Sequence, residues 1–164
     1  MITVKLTQYH TKGFTLIEAL VALLVLSIGL LGVAALQITG QRFTYQAYMR
    51  TQAATLSYDI MDRIRINSDI AESGAYDNVS CSGNISAPDP NCDVQSCSAT
   101  EMASYDIAQW CTAVTSILPA GAGSIDWQEV TTGVGKSIHT ISIEWLGDRD
   151  EDSPPMQQTW TFQQ

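Results

Sequence analysis

A chain of 164 residues is long enough to bury one hydrophobic core and too short to favour two independent domains. Its net charge of -9 reflects 17 acidic against 8 basic residues, which argues against nucleic-acid binding because phosphate contacts depend on Lys and Arg. One acidic domain with a soluble surface, plus an appendage, is therefore expected.

An apolar segment runs from Phe14 to Leu36, and Glu18 is its only charged residue. A helix of about 20 residues spans the ~30 Å hydrocarbon core of a bilayer. Lys5 and Lys12 precede the segment, so the positive-inside rule predicts a cytoplasmic N-terminus and export of everything that follows. A secretory signal peptide would have a shorter apolar core and a small-residue cleavage site. We therefore predict a retained transmembrane helix.

Glu18 is unusual because a carboxylate inside a bilayer costs about 2.5 to 3.5 kcal/mol on insertion scales. In one interpretation its side chain simply reaches water at the cytoplasmic interface. In the other, Glu18 has a charged partner. The sequence around Glu18 favours the second interpretation.

The string KGFTLIEALVALLVLSIGLLG, which begins at Lys12, resembles the class III signal of type IV prepilins and pseudopilins. In that family a membrane-embedded peptidase cuts after the glycine and methylates the new N-terminus, so the resemblance implies cleavage between Gly13 and Phe14. The new ammonium at Phe14 would need a counter-charge, which Glu18 of a neighbouring subunit can supply. Glu18 would then set the axial register of assembly.

The block LSIGLLGVAALQ, which ends at Gln37, is similar to the N-terminal block of minor pilins of the PilV, or type IV pilus modification protein, group. The resemblance implies a bacterial inner-membrane protein that later joins a pilus at the cell surface. Its implied partners are the prepilin peptidase, other minor pilins, the major pilin and the pilus assembly platform. Gly29 and Gly32 fit either close helix packing or local weak points in the membrane helix.

The helical pattern continues beyond the membrane segment, because apolar or aromatic residues recur every three or four positions. These residues are Tyr45, Met49, Ala53, Leu56, Ile60 and Ile64. We therefore predict one helix from Phe14 to about Ile66. The domain plan is a cleaved leader (1–13), a transmembrane part (14–36), an amphipathic periplasmic part (37–66) and a globular pilin domain (67–164).

The globular part combines a loop region, one helix and several strands. Residues 67–91 are rich in Ser, Asn, Asp, Gly and Pro, which predicts a connecting loop. Ser98 and Glu101 form a capping-box pattern ahead of a helix that ends near Leu118. A period of two then predicts three antiparallel strands, which contain Ile125 and Trp127, Ile141 to Trp145, and Trp160 and Phe162. The expected fold class is α+β, the pilin fold.

Four cysteines, Cys81, Cys92, Cys97 and Cys111, lie in the exported part, where disulfides form. Their spacing lacks the close pairs of a zinc site. Two disulfides are predicted, and the three possible pairings remain open.

Alternating acids Asp148, Asp150 and Asp152 are a weak calcium candidate, because Arg149 and the lack of a glycine at the turn position favour a solvated hairpin. No catalytic motif occurs, so neither enzymatic activity nor a cofactor is expected. The predicted function is a minor pilin that primes or caps a type IV pilus. The alternatives are a minor pseudopilin of type II secretion and a membrane-anchored binding domain that never polymerises.

Overall fold

The computed structural model describes residues 13–82, 90–129, 137–147 and 154–163. The chain divides into two compact units, Met1–Gln41 and Arg42–Gln164. The first unit contains the apolar part of the first helix. The second unit contains the rest of that helix and every other helix and strand described below.

Helix α1 extends over Leu16–Ile66, close to the predicted range. It begins two residues later than predicted because Thr15 caps it: the hydroxyl Oγ1 of Thr15 accepts a hydrogen bond from the backbone N–H of Glu18 over 3.3 Å. Arg63 and Arg65 lie in its last turn, where positive charge stabilises the negative end of a helix. Of the six residues in the apolar pattern, Tyr45 is 40% exposed, whereas the other five are buried.

Region 67–91 contains more regular structure than the predicted loop. Helix α2 is one turn long, Ser68–Ala71, and strand β1 spans Val79–Cys81. A strand of three residues is too short to show a period of two in the sequence. The strand β1 forms because it pairs antiparallel with the next strand, where Ser80 lies opposite Ser124.

Helix α3 spans Ala99–Ile117, and the predicted capping box is present in full. The backbone N–H of Ser98 donates to the Glu101 carboxylate over 2.7 Å, and the backbone N–H of Glu101 donates to Ser98 Oγ over 3.4 Å. The bond from the Ser98 N–H, together with a second from the Ser98 hydroxyl to the same carboxylate over 2.7 Å, lowers the pKa of Glu101 and keeps its carboxylate ionised. The helix ends at Leu118, which is extended ahead of Pro119, as expected for a residue that precedes proline.

Over the residues that the structure describes, the sheet has four strands in the order β1-β2-β3-β4, one more than the sequence predicted. Strands β2 (Ala122–Glu129), β3 (Ser137–Trp145) and β4 (Met156–Gln163) form the predicted antiparallel meander. Ile125, Ile141 and Ile143 are fully buried and belong to the same core cluster as the inward residues of α1 and α3. The core thus lies between the two helices and one face of the sheet.

Candidate processing and assembly site

The first site candidate is the start of α1. Gly13, Phe14 and Thr15 precede the helix and are exposed, and Phe14 is 72% exposed. Glu18 occupies the first turn, where a carboxylate is stabilised by the positive end of the helix macrodipole. A peptide bond between Gly13 and Phe14 that lies outside regular structure can be reached by a peptidase.

The surface of α1 from Phe14 to Leu36 is apolar and unpacked. Every Leu, Ile, Val and Phe side chain in this range is more than half exposed. Leaving such a side chain in water instead of burying it costs about 1.5–3 kcal/mol, so this surface requires either lipid or other helices. The helix is long and apolar enough to cross a membrane.

Small residues interrupt this apolar surface at positions where no described residue packs closely against the helix. A Cβ atom added at Gly29 or Gly32 would meet nothing within 4 Å. Ser27 donates its hydroxyl to the Leu23 carbonyl over 2.7 Å, which satisfies the hydroxyl inside the helix. Glycine in a helix interior costs about 0.5–1 kcal/mol relative to alanine, so these glycines fit a close contact with another helix better than they fit packing in the monomer.

A polar cluster connects the end of α1 to α3. Arg63 donates to Asp106 Oδ1 over 3.0 Å and to Asp59 Oδ2 over 3.0 Å. Tyr76, which is fully buried, donates its hydroxyl to Asp106 Oδ2 over 2.9 Å, and Asn67 donates to the Tyr76 oxygen over 3.2 Å. Burial raises the pKa of Tyr76, so its hydroxyl stays protonated and keeps donating. Both oxygens of the buried Asp106 carboxylate are therefore satisfied.

The four cysteines form two disulfides, which resolves the pairing that the sequence left open. Cys81 bonds to Cys111 and thereby joins β1 to α3. Cys92 bonds to Cys97 and closes a short loop ahead of the α3 capping box. Neither sequence spacing nor composition could select these pairs, because the contact between β1 and α3 arises only in the fold.

The Cys92–Cys97 loop is also held by side chains of α3. Asp93 accepts a short hydrogen bond from the Tyr105 hydroxyl and a longer one, of 3.4 Å, from Gln109 Nε2. Gln109 Oε1 in turn accepts from Arg63 over 3.1 Å. The loop, α3 and the end of α1 thus form one continuous polar network on the domain surface.

Several predicted site residues lie outside the described residues, namely Lys5, Lys12, Asp148, Asp150 and Asp152. Within the described ranges no three His, Cys, Asp or Glu side chains are grouped as metal ligands. His139 is buried on β3 and stacks on Phe162, with ring centroids 5.0 Å apart.

Two features of these sites were not among the predictions. One is the cap formed by Thr15, although Thr15 and Glu18 have the spacing of a helix cap, a signal that was readable. The other is the pairing of Asp106 with Arg63 and Tyr76, which joins distant parts of the sequence and left no local signal.

An exposed apolar helix that starts beside a glycine-phenylalanine junction, followed by a disulfide-bonded α+β domain, is the arrangement expected of a membrane-anchored filament subunit. Two family models support this class. The model for the prokaryotic N-terminal methylation motif matches residues 9–34, and the Tt1218-like model, described as type IV pilin Tt1218, matches residues 35–108. No curated protein and no solved structure gave a significant match.

The two matches adjoin and together span more than half of the 164 residues. Over residues 9–108 the chain is similar to type IV pilins. The methylation motif implies processing by a prepilin peptidase and assembly with other pilins.

Proposed function

We propose that this chain is a minor pilin of the PilV group, which primes or caps a type IV pilus after a prepilin peptidase cleaves it between Gly13 and Phe14. The observation that carries the proposal is the methylation motif over residues 9–34, which includes that junction. In this proposal residues 1–13 remain in the cytoplasm until cleavage, and the domain from Arg42 onward lies in the periplasm. The positive-inside tendency of Lys5 and Lys12 supports this orientation.

Assembly follows from the chemistry of the new N-terminus. Cleavage creates an ammonium group at Phe14, four residues ahead of Glu18. In a low-dielectric environment the ammonium and a carboxylate of a neighbouring subunit stabilise each other, because either charge alone is costly there. The exposed apolar surface of α1 supplies the non-directional attraction, and the ion pair selects one axial register.

The side-chain cluster around Asp106 has a supporting role in this proposal. It fixes the end of α1 to α3 through Arg63, and the Cys81–Cys111 disulfide fixes α3 to the sheet. A filament subunit passes mechanical load from its helix to its domain. The ion pair between α1 and α3 and the disulfide between α3 and the sheet would transmit such a load from the helix to the domain.

Two alternative functions predict different results for cleavage and for loss of the gene. A minor pseudopilin of type II secretion shares the leader and the fold, but its loss would impair protein secretion and leave surface pili intact. A membrane-anchored binding domain would keep its N-terminus uncut. The block LSIGLLGVAALQ favours the pilus over the secretion machine.

The test is the intact mass and N-terminal sequence of the membrane-extracted chain, from cells with and without the prepilin peptidase. The expected product starts at methylated Phe14 only when the peptidase is present. Gly13→Ser should block cleavage, whereas the matched variant Gly29→Ser should be cleaved normally, since Gly29 is exposed and unpacked. An uncut chain in both strains would reject the pilin proposal and favour the anchored binding domain.

Cell phenotypes then separate the two filament machines. Deletion of the gene should reduce surface pili, measured by shearing and immunoblot of the major pilin, and leave secreted enzymes at normal levels. The reverse result would assign the chain to type II secretion.

A further inference from the structure

Strand β4 is an uncharged edge in a strongly acidic protein. Within the ranges that the structure describes, β4 pairs only with β3 and forms the outer strand of the sheet. None of its residues, Met156–Gln163, is charged, although the chain carries a net charge of -9. Proteins usually protect an open edge with lysine, proline, a bulge or a very short strand. The opposite edge, β1, follows that rule with three residues, and β4 does not.

The sequence of β4 reads nearly the same in both directions about Trp160. Thr159 and Thr161 lie one residue to either side, and Gln157 and Gln163 lie three residues to either side. Two strands that pair antiparallel about a twofold axis place residues at equal distance from the axis opposite each other. A strand that is nearly palindromic therefore places like opposite like when it pairs with its own copy.

We propose that β4 is a self-association edge, at which β4 of a second copy of this chain adds in antiparallel orientation with the twofold axis at Trp160. The two sheets then continue into one. On the outer face Thr159 lies opposite Thr161 of the second copy, and Gln157 lies opposite Gln163. Threonine pairs and amide pairs at such positions hydrogen-bond across strands and stabilise a sheet.

The outer face of β4 already forms hydroxyl contacts with the neighbouring strand β3. Thr159 and Thr161 are exposed and lie opposite Ser142 and Thr140 of β3. The hydroxyls of Ser142 and Thr159 are hydrogen-bonded over 3.1 Å. Pairing with a second copy extends this row of hydroxyl contacts by further strands.

The inner face offers an apolar contact at the axis. Trp160 is only partly buried and packs against the core from the edge of the sheet. Its inward neighbour across the ladder is Ile141. In the proposed register the two Trp160 rings lie opposite each other, so each covers part of the other's exposed surface and removes apolar area from water.

Charge explains why the second copy meets the first at this strand. Two chains that each carry a net charge of -9 repel each other over distances of about a Debye length, roughly 8 Å at physiological salt. Around Trp160 the strand lies opposite uncharged Thr140 and Ser142, with Glu144 only at the far end opposite Gln157, so this stretch is a place where two such chains can approach closely. A partner strand rich in charge would have no matching groups on β4.

The twofold symmetry of the proposed pair determines which copies of the chain can meet. The axis is perpendicular to the sheet, so any direction within the sheet of one copy is reversed in the second copy. The proposed pairing thus fits copies that approach from opposite directions, as on two filaments, rather than copies aligned side by side. One strand pair is smaller than the roughly 800 Å² per partner of a stable interface, so a single contact is expected to be weak and many in parallel to be strong.

The test uses the full chain in detergent micelles, with donor and acceptor dyes on separate copies and energy transfer as the readout. Two variants are made, T159K/T161K and T159E/T161E. Each variant alone places like charges opposite each other and should associate at least about tenfold more weakly than the unmodified chain. A mixture of the two variants places opposite charges in register and should recover association.

The matched control puts the same charges on an interior strand, as S124K/Q128K and S124E/Q128E. Ser124 and Gln128 lie on the outer face of β2, so these variants should associate like the unmodified chain, alone or mixed. Association that ignores the β4 charges would overturn the proposal. Equal recovery in the β2 mixture would also overturn it, because net charge would then explain the effect. The measurement requires no peptidase, so its failure leaves the proposed pilin function intact.

Discussion

The indole Nε1 of Trp110 donates a hydrogen bond to the backbone carbonyl oxygen of Leu56 over 3.0 Å. Trp110 is 1% exposed, and its ring lies against Gly123 of β2, where an added Cβ would come within 2.7 Å of the ring carbon Cη2. One side chain of α3 thus contacts both α1 and the sheet. The domain is joined at this point by packing and by a satisfied buried donor.

The close contact at Gly123 leads to the first prediction. Gly123→Ala should lower the free energy of unfolding by about 1–3 kcal/mol, because a methyl group in a packed core forces the Trp110 ring or the strand to move. Urea unfolding of the full chain in detergent, followed by tryptophan fluorescence, measures the change. Gly29→Ala is the control, since its new methyl meets nothing. Equal stability of Gly123→Ala and the unmodified chain would contradict the packing described here.

The two disulfides should contribute unequally to stability. Cys81 and Cys111 are separated by 30 residues and Cys92 and Cys97 by 5. In the chain-entropy description these loops correspond to about 3.6 and about 2 kcal/mol. Replacing Cys81 and Cys111 with serine should therefore destabilise the domain by about 1.5 kcal/mol more than replacing the other pair, as judged by urea midpoints. A larger loss for the Cys92–Cys97 pair would show that its loop, through Asp93, stabilises the domain more than loop closure predicts.

The cluster at Arg63 offers a matched pair of carboxylates. Asp106 is 8% exposed and Asp59 is 47% exposed, and both contact Arg63. Asp106→Asn should cost about 1–3 kcal/mol, because it weakens a buried charged bond and alters the acceptor of Tyr76. Asp59→Asn should change stability by less than about 1 kcal/mol, as surface ion pairs do. Similar losses for both variants in chemical denaturation would contradict the burial of the cluster.

Buried His139 should make stability depend on pH. Burial lowers its pKa, an effect that Asp77 partly opposes, so the unfolded chain, with a pKa near ~6.5, takes up the proton first as pH falls. The contribution of neutral His139 is thus complete above about pH 6.5 and is lost as pH falls through the lower pKa of the folded state. His139→Phe should lose less stability than the unmodified chain between pH 7.5 and 5. Parallel pH profiles for the two proteins would reject this role.

The charge of Glu18 should matter for assembly and not for cleavage. Glu18→Gln keeps the size of the side chain and removes the charge that would pair with the ammonium of Phe14. A charge-assisted hydrogen bond contributes about 1.5–3 kcal/mol, so incorporation into sheared pili should fall by at least about tenfold, while intact mass shows normal removal of residues 1–13. Glu18→Asp, which keeps the charge, should be incorporated better than Glu18→Gln. Normal incorporation of Glu18→Gln would limit Glu18 to stabilising the start of its own helix.

Much of the architecture was predictable because its causes are local. The alternation around Ile141 reports the period of a strand, the apolar run from Phe14 reports one long helix, and the capping box at Ser98 and Glu101 marks where α3 begins. The strand β1 and helix α2 were missed for the opposite reason. Each has too few residues to show a period, and each is fixed by contacts with other parts of the chain.

The sequence by itself determined the processing motif, the membrane-spanning length of α1, the two long helices and the β2-β3-β4 meander, since periodicity, caps and charge act between near neighbours. Only the tertiary structure decided the disulfide pairs, the burial of Asp106 between Arg63 and Tyr76, and the fit of Trp110 against Gly123. Apart from the local Cys92–Cys97 bond, these relationships connect residues far apart in the chain. Their energies depend on distance and burial in three dimensions, and neither can be predicted from the spacing of residues along the sequence.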